Sequence, residues 1–458
     1  MRLSRCIAAT FVLLASSLVL IGSSAAQNVK VVTTFSGQPL SYPEGSLVQG
    51  RNGQLFGGAD SFTGSTYGTV FQLSTRGMLG FSHTFDSTDG AQPAGLTLAT
   101  DGNLYGVARY GGTSNSGVLY RLSPNGTYTI LHEFSGGSDG GNPIASPVEA
   151  TDGSIYGVAM GSFVLASTLY RYTPQSGSFA TVYTFDEAHG QYATYLIQGS
   201  DGSLYGTAVW GGNSQCGTAF KITTSGTPLW AYSFPCGAGG YNPQMLLQAA
   251  DGSFYGVAEN GGGCQYCGTI FKSDNEGHVS TLYSLPPILV HGQNPAILLQ
   301  ATDGNLYGVT YAGGQFSDGT VFKMTTSGTY TVLYSLDSAT TGGSPTGMMQ
   351  HTNGLLYGTA GVGGTSGNGT VYSFNARLSP FVAFVLPGAG LGQTAQILGQ
   401  GLTGTTAVTF NGVAATKFTV VSDTYMTAVV PSGASTGPVV VTTPGGALSS
   451  NMSFRIIE

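Results

Sequence analysis

The chain predicts an all-β protein: a seven-bladed β-propeller closed by its own N-terminal strand, with a smaller β domain behind it. Three observations carry that prediction. The 458 residues include 73 Gly, 25 Tyr and 23 Phe, and only 8% are charged. Gly disfavours helix interiors, whereas aromatic and β-branched residues suit a pleated sheet. The motif Asp/Asn-Gly-x-(Leu/Ile/Phe)-(Tyr/Phe)-Gly occurs seven times, its aromatic falling at Phe56, Tyr105, Tyr156, Tyr205, Tyr255, Tyr307 and Tyr357, with spacings of 49, 51, 49, 50, 52 and 50 residues. A fixed period of this length marks a repeat architecture, and it stops after Arg377.

The first 26 residues read as an export signal. Arg2 and Arg5 precede an apolar run from Ile7 to Ile21, and Ser24-Ala25-Ala26 supplies the small residues a signal peptidase reads. The run is short for a membrane span, no later stretch approaches the ~20 apolar residues a span needs, and Cys6 is too early for a lipoprotein anchor. The mature chain, from Gln27, keeps twelve Lys and Arg against 21 Asp and Glu, a net charge of −9. That balance excludes nucleic acid and anionic membrane surfaces, which need clustered positive charge.

Within each repeat four short strands are expected. Leu96–Ala99 leads to Asp101-Gly102, a strong hairpin signal whose tight form needs positive φ at both central residues. Leu104 to Ala108 follows, then Gly111-Gly112, a third strand from Gly117 to Leu122, the turn Pro124-Asn125-Gly126 and a fourth strand from Tyr128 to Phe134. Four strands per period of about 50 residues, with no helical pattern between them, match a propeller blade. The Gly after each motif aromatic weakens a strand unless something approaches closely, and a neighbouring blade is the expected close contact. The Tyr beside it is expected to be a packing residue with its hydroxyl satisfied. The seventh unit ends at Phe374 without a fourth strand, while Val31–Phe35 precedes the first unit and matches the fourth-strand pattern. The N-terminal strand is therefore expected to complete blade seven and remove the exposed edges. The propeller spans 27–377 and the second domain 378–458.

That second domain carries Ala407-Val-Thr-Phe-Asn-Gly-Val413, Met426-Thr-Ala-Val-Val-Pro431 and Thr436-Gly-Pro-Val-Val-Val-Thr442. These segments resemble the IPT/TIG family of immunoglobulin-like β-sandwiches, which implies a spacer or interaction module. Asp-Gly-x-Leu-Tyr-Gly followed by Gly-Gly and Gly-Thr-Val-Phe resembles the bacterial tandem repeat called GloVer, over roughly residues 28–376. Members of that family are exported and often anchored; here the chain runs out in the strand Phe454 to Ile457, with no anchor signal expected.

Four cysteines follow the leader. In an exported chain an even count reads as disulfides. Cys216 and Cys236 fall in loops of one rim around blade four, and Cys264 and Cys267 in the matching loop of blade five, so Cys216–Cys236 and Cys264–Cys267 are the expected pairs. A zinc site of all four thiolates is the alternative.

Three residues before each Asp/Asn-Gly stands a column: Gln49, Leu98, Glu149, Gln198, Gln248, Gln300 and Gln350. Placed on the innermost strand, these amides can satisfy backbone groups at an unpaired edge, or form a polar ring for water, an ion or a ligand. Glu149 is the exception, a carboxylate near the axis whose burial raises its pKa. The rim loops carry Tyr42, Tyr110, Tyr192, Trp210, Tyr241 and Tyr311; flat aromatic faces beside Gly, Asn and Ser suit sugars, or serve as packing lids. Asp86, Asp89 and Asp139 follow no defined calcium loop.

No catalytic set emerges. The six histidines lack metal-ligand spacing, and neither a Gly-x-Ser-x-Gly elbow nor a phosphate loop is present. The first strands offer Glu149, Arg51 and His351 as the only charged or titratable groups read near the axis. The expected protein is an exported, bacterial, monomeric binding or scaffold protein without cofactor or metal, its partner a glycan or cell-surface protein. Ligand candidates are Gln49, Glu149, Gln198, Gln248, Gln300, Gln350, Tyr110 and Trp210. Two other readings stand beside it: a carbohydrate-active hydrolase or lyase using Glu149, and a purely structural surface or matrix component.

Overall fold

A computed structural model describes residues 29–37, 39–60, 67–161, 166–385 and 388–457; the expected export leader lies outside the described residues. The described chain is built from antiparallel strands, with two single 3-10 turns at Gly237–Gly239 and Leu289–His291. No helix among the described residues is long and apolar enough to cross a membrane.

Each repeat folds into one four-stranded sheet whose strands pair in sequence order. Sheet 1 runs Pro43–Gln49, Leu55–Ala59, Thr69–Leu73, Leu79–Thr84, and sheet 2 runs Ala91–Leu98, Leu104–Tyr110, Val118–Leu122, Tyr128–Glu133. Sheets 3 to 6 repeat this plan with first strands Val148–Glu149, Gln191–Gln198, Tyr241–Gln248 and Gln293–Gln300. Sheet 3 has the shortest first strand, because Pro147 has no N–H to give the ladder; pairing survives at Val148–Glu149 and at an isolated bridge from Pro143 to Ala159. In sheet 7, Gly343–Gln350, Leu356–Val362 and Thr370–Phe374 are joined by Val29–Thr34, which pairs antiparallel with Thr370–Phe374.

The core is divided between the sheets. Separate apolar clusters lie between sheets 1 and 2 (around Val70 and Tyr120), 2 and 3 (Leu119 and Ile155), 3 and 4 (Leu169 and Leu204), 4 and 5 (Tyr205 and Phe254), 5 and 6 (Ile270 and Leu306), and 6 and 7 (Val321 and Leu356). A further cluster joins sheet 7 to sheet 1 through Tyr357, Val371, Leu47 and Phe71. Each sheet is buried on both faces, which is why its second and third strands are almost wholly buried. First strands touch first strands of adjacent sheets, so they form the inner edge of the arrangement.

The motif residues find their reasons here, and two expectations are corrected. The strictly two-residue hairpin is replaced by a type I turn with a bulge: Ala99 N–H donates to Asn103 O, Gly102 N–H donates to Ala99 O, and only the glycine has positive φ (88° at Gly102). The Asp stays in ordinary backbone space because its side chain is engaged, accepting the Asn103 N–H at 2.9 Å and the Tyr105 hydroxyl at 2.9 Å. The same Tyr-to-Asp bond recurs at Tyr156, Tyr205, Tyr255 and Tyr307. The glycine after the aromatic is not opposed by a neighbouring sheet. It pairs directly with an aromatic of the third strand of its own sheet, as Gly106 with Tyr120 and Gly157 with Tyr170. A Cβ at Gly157 would stand 2.1 Å from the Tyr170 hydroxyl oxygen, so the ring needs the bare backbone.

Beyond Arg377 two further four-stranded sheets face each other. One is ordered Ala383–Phe384, Thr394–Leu398, Tyr425–Val429, Phe418–Ser422; the other Val413–Ala414, Ala407–Phe410, Val439–Thr443, Gly446–Ser449. Alternating residues of both, including Ile397, Met426, Val408 and Val441, share one buried core with Phe454. This is a β-sandwich.

Candidate functional site

The repeat region has two faces. One holds the hairpin turns between first and second strands; the other holds the loops between second and third strands and those leading to the next sheet. The turn face is built around the side-chain column. In a type I turn the N–H of the second residue is left without a partner inside the turn, and each polar column residue answers that need in the sheet before it. Gln198 Oε1 accepts the Thr151 N–H (3.0 Å), Gln248 the Ser200 N–H (2.8 Å), Gln300 the Ala250 N–H (2.7 Å) and Gln350 the Thr302 N–H (3.1 Å). In sheets 4 to 6 the amide nitrogens bond back to the turn glycine of their own sheet, as Gln198 Nε2 to Gly202 O and Gln300 Nε2 to Gly304 O, both at 2.9 Å, whereas Gln350 Nε2 donates to Thr302 Oγ1 at 3.0 Å. Gln49 makes the joint between the first and last sheets, accepting the Thr352 N–H at 3.0 Å and donating to Thr352 Oγ1 at 2.9 Å.

Glu149 plays the same part as an acceptor only. It is 8% exposed and takes the Thr100 N–H at 2.6 Å and the Thr100 hydroxyl. Burial holds its pKa above the ordinary carboxylate value, with Asp101 adding to the rise and the Thr100 bonds and Arg51 opposing it. Leu98 has no polar atom to offer, and the equivalent turn residue of sheet 1 is Arg51.

The sandwich sits against this turn face. Thr352 Oγ1 donates to Gly399 O (3.2 Å), Gln400 Nε2 donates to Thr352 Oγ1 (3.0 Å), and Arg455 Nη1 donates to Gly199 O (3.0 Å). His351 is buried there; its Nε2 lies 3.1 Å from Gly53 O, its Nδ1 accepts the Asn353 N–H, and burial lowers its pKa. A cavity of about 310 Å³ remains between Glu149 and Thr100 on one side and Gln393, Thr394 and Gln396 on the other.

The loop face is open and aromatic. Trp210 and Tyr311 are each 48% exposed, Phe316 49% and Tyr266 59%. They come from sheets 4, 6, 6 and 5. Tyr110 is half-buried, with the Arg109 guanidinium over its ring at 5.1 Å. Tyr241 donates to Gln265 O at 3.2 Å. Two disulfides brace this side: Cys216–Cys236 links the sheet 4 loop to the segment leaving the sheet (Cα–Cα 5.5 Å), and Cys264–Cys267 closes the sheet 5 loop (Cα–Cα 5.1 Å). A threonine opening the third strand ties each of several connecting loops, as Thr168 to Asp139 O, Thr218 to His189 O and Thr370 to Thr341 O. The loop aspartates bond within the protein: Asp86 to Thr88 and Asp89, Asp89 to His83 at 2.9 Å, and Asp139 to His132 at 3.0 Å.

Sequence reasoning missed the acidic residues on this side. Glu44 is the second residue of the first strand of sheet 1 and is reached by solvent; crowding by protein raises its pKa, Asp60 adds to the rise and Arg109 opposes it. Glu259, at the end of the second strand of sheet 5, is also raised by burial and accepts a bond from Gln244 Nε2 at 3.0 Å. The residue after the first-strand proline is the register that would have revealed Glu44, and Gln244, which occupies it in sheet 5, is the partner of Glu259. Asp274, Glu276 and His278 cluster on an exposed turn of sheet 5, and the His278 Nδ1 to Asp274 bond (2.7 Å) is internal to that group.

Among solved structures, the chain is similar to an oligogalacturonate lyase from Vibrio parahaemolyticus, with 12% identity over 77% of this chain and 94% of that one (TM-score 0.51). It is similar to a periplasmic gluconolactonase from Pseudomonas aeruginosa, with 16% identity over 71% and 96% (TM-score 0.48). A third similarity is to PorZ, a surface component of the type-IX secretion system of Porphyromonas gingivalis, with 13% identity over 89% and 58% (TM-score 0.48). At 12% identity the likeness to the lyase shows the fold alone. None of the curated proteins matches the sequence. The pattern of one known family does, over residues 19–197 and again over 192–421, and the chain accordingly belongs to the Gloeobacter/Verrucomicrobia repeat family.

Proposed function

We propose that this is an exported seven-bladed propeller, closed by its N-terminal strand and carrying an immunoglobulin-like sandwich of the IPT/TIG kind, that binds a glycan through its loop face without catalysing a reaction. The observation that carries the reading is the group of exposed aromatics Trp210, Tyr266, Tyr311 and Phe316, contributed by sheets 4, 5 and 6. Rings of this kind stack on the apolar faces of sugars, while neighbouring amide and hydroxyl groups order the sugar hydroxyls. Disulfides and threonine ties hold the loops in place, so little ordering entropy opposes binding.

The column side chains support a joint-forming role over a ligand-binding one, since their polar atoms are engaged between sheets. Glu149 is similarly occupied and lies beneath the sandwich, a poor position for a hydrolase or lyase acid acting on a polymer. Two disulfides fit an oxidising compartment, and a monomer fits the cyclic closure.

The test is binding of the purified chain to a panel of polysaccharides, with new reducing ends and unsaturated products followed in the same wells. Saturable binding without product is the expected result. Product release would install the enzyme reading, and binding only to envelope proteins would make the partner a surface protein.

A further inference from the structure

We infer that the C-terminal sandwich acts as the missing joint of the ring, clamping the seam between sheets 1 and 2, where Leu98 supplies no column acceptor. Six of the seven column positions carry an acceptor, and each accepts the N–H of the turn in the preceding sheet. At the remaining seam the column residue is the aliphatic Leu98, which can accept nothing from the Arg51 turn.

The sandwich converges on that seam. Arg51 Nη2 crosses from sheet 1 to the Thr100 carbonyl of sheet 2 at 2.7 Å. Gln396 of the sandwich completes the bridge from above: its Oε1 accepts from the same Arg51 nitrogen and its Nε2 donates to the same Thr100 carbonyl. Tyr425 lies under the guanidinium at 5.0 Å from its ring centre and donates its hydroxyl to Gln396 Oε1 at 3.2 Å. Thr424 Oγ1 donates to the Arg51 carbonyl at 2.8 Å. Gly102 leaves the space, since a Cβ there would sit 2.3 Å from Arg51 Nη1. Four polar residues from two domains thus close one network over the seam that lacks a column acceptor, adding to the single Arg51 bridge between its two sheets. A domain serving only as a spacer has no need of this contact; a clamp does.

The test uses hydrogen–deuterium exchange on the full chain, read at residues 50–54 and 99–103 and, as reference, at the sheet 5–6 seam around 249–253. Gln396→Ala is expected to speed exchange at the first seam about ten-fold, the order expected for losing one or two hydrogen bonds, and to leave the reference seam unchanged. Gln300→Leu is expected to do the reverse. Adding Leu98→Gln to Gln396→Ala supplies an acceptor for the Arg51 N–H and should return the first seam toward the parent rate. Tyr425→Phe, a milder change that removes only the hydroxyl, should give a smaller acceleration at the same residues, and it serves if Gln396→Ala does not fold. Parent-like exchange at 50–54 and 99–103 in both Gln396→Ala and Tyr425→Phe would overturn the inference. So would an acceleration spread evenly over all seams.

Discussion

Replacing Gln49 by Leu perturbs the joint between the first and last sheets at its most buried point. Gln49 is 7% exposed and Thr352 1%. The change removes the acceptor of the Thr352 N–H and the donor to Thr352 Oγ1, at 3.0 and 2.9 Å. Thr352 Oγ1 keeps its bonds to Gly399 O and Gln400 Nε2, so the hydroxyl is not stranded. The N–H is. An unsatisfied buried donor costs about 1–3 kcal/mol and the second bond about 0.5–1.5, giving a loss of roughly 2–4 kcal/mol. At Gln300, in an exposed setting, water can replace the lost partners, and Gln300→Leu should cost about 0.5–1 kcal/mol. Urea unfolding followed by tryptophan fluorescence measures the difference cleanly, because both tryptophans, Trp210 and Trp230, lie in sheet 4 and report on the repeat region. Gln49→Glu keeps the acceptor, in the manner of Glu149, and should retain most of the stability. Equal midpoint shifts for Gln49→Leu and Gln300→Leu would refute the argument that burial of the joint sets its worth.

Two further outcomes follow from the same geometry. Burial raises the Glu149 pKa in the folded chain, so the folded state holds its proton more tightly than the unfolded state does. The charged carboxylate therefore opposes folding at pH above the raised value, and the penalty vanishes below the ordinary carboxylate pKa. Glu149→Gln should match or exceed the parent in stability at pH 7, with the gap closing by about pH 4; unfolding midpoints at the two pH values read it, and a variant markedly weaker at pH 7 would contradict the reasoning. Removing the Cys216–Cys236 disulfide by a double Ser substitution releases residues 20 apart in sequence, for a loss of about 3 kcal/mol under the chain-entropy account. Differential scanning calorimetry of the double variant against the oxidised parent gives the number, and an unchanged transition would show that this crosslink adds nothing to the folded state.

The repeat was legible because it is written seven times. Asp101, Gly102, Leu104 and Tyr105 each have counterparts at the same spacing, and a column such as Gln198, Gln248 and Gln300 emerges by lining those copies up. The turn type was not legible, since Asp-Gly serves both a two-residue hairpin and a type I turn with a bulge; the choice rests on Asp101 bonding to Asn103 and Tyr105. The role of Gly106 was misplaced for a similar reason: the pattern shows that a side chain is forbidden, not that Tyr120 of the same sheet forbids it. Least legible was the seat of the sandwich. Gln396, Thr424 and Arg455 occur once each outside the repeat, so no periodicity flags them; Arg51 stands in the repeat and was read near the axis, but nothing in its register names its partners, and only the folded chain brings the four to one face. Glu44 and Glu259 went unnoticed because they stand at strand ends, outside the column that the repeat makes conspicuous.

The most direct test of the account sets the two faces against each other. The polysaccharide that binds best is titrated into the parent chain, Trp210→Ala, Tyr311→Ala and Glu149→Gln. The account predicts a loss of about ten-fold or more in affinity for each aromatic variant, the order expected for removing a stacked ring, with Glu149→Gln binding as the parent does. Loss of binding in Glu149→Gln, with the aromatic variants unaffected, would contradict it and move the site to the face beneath the sandwich.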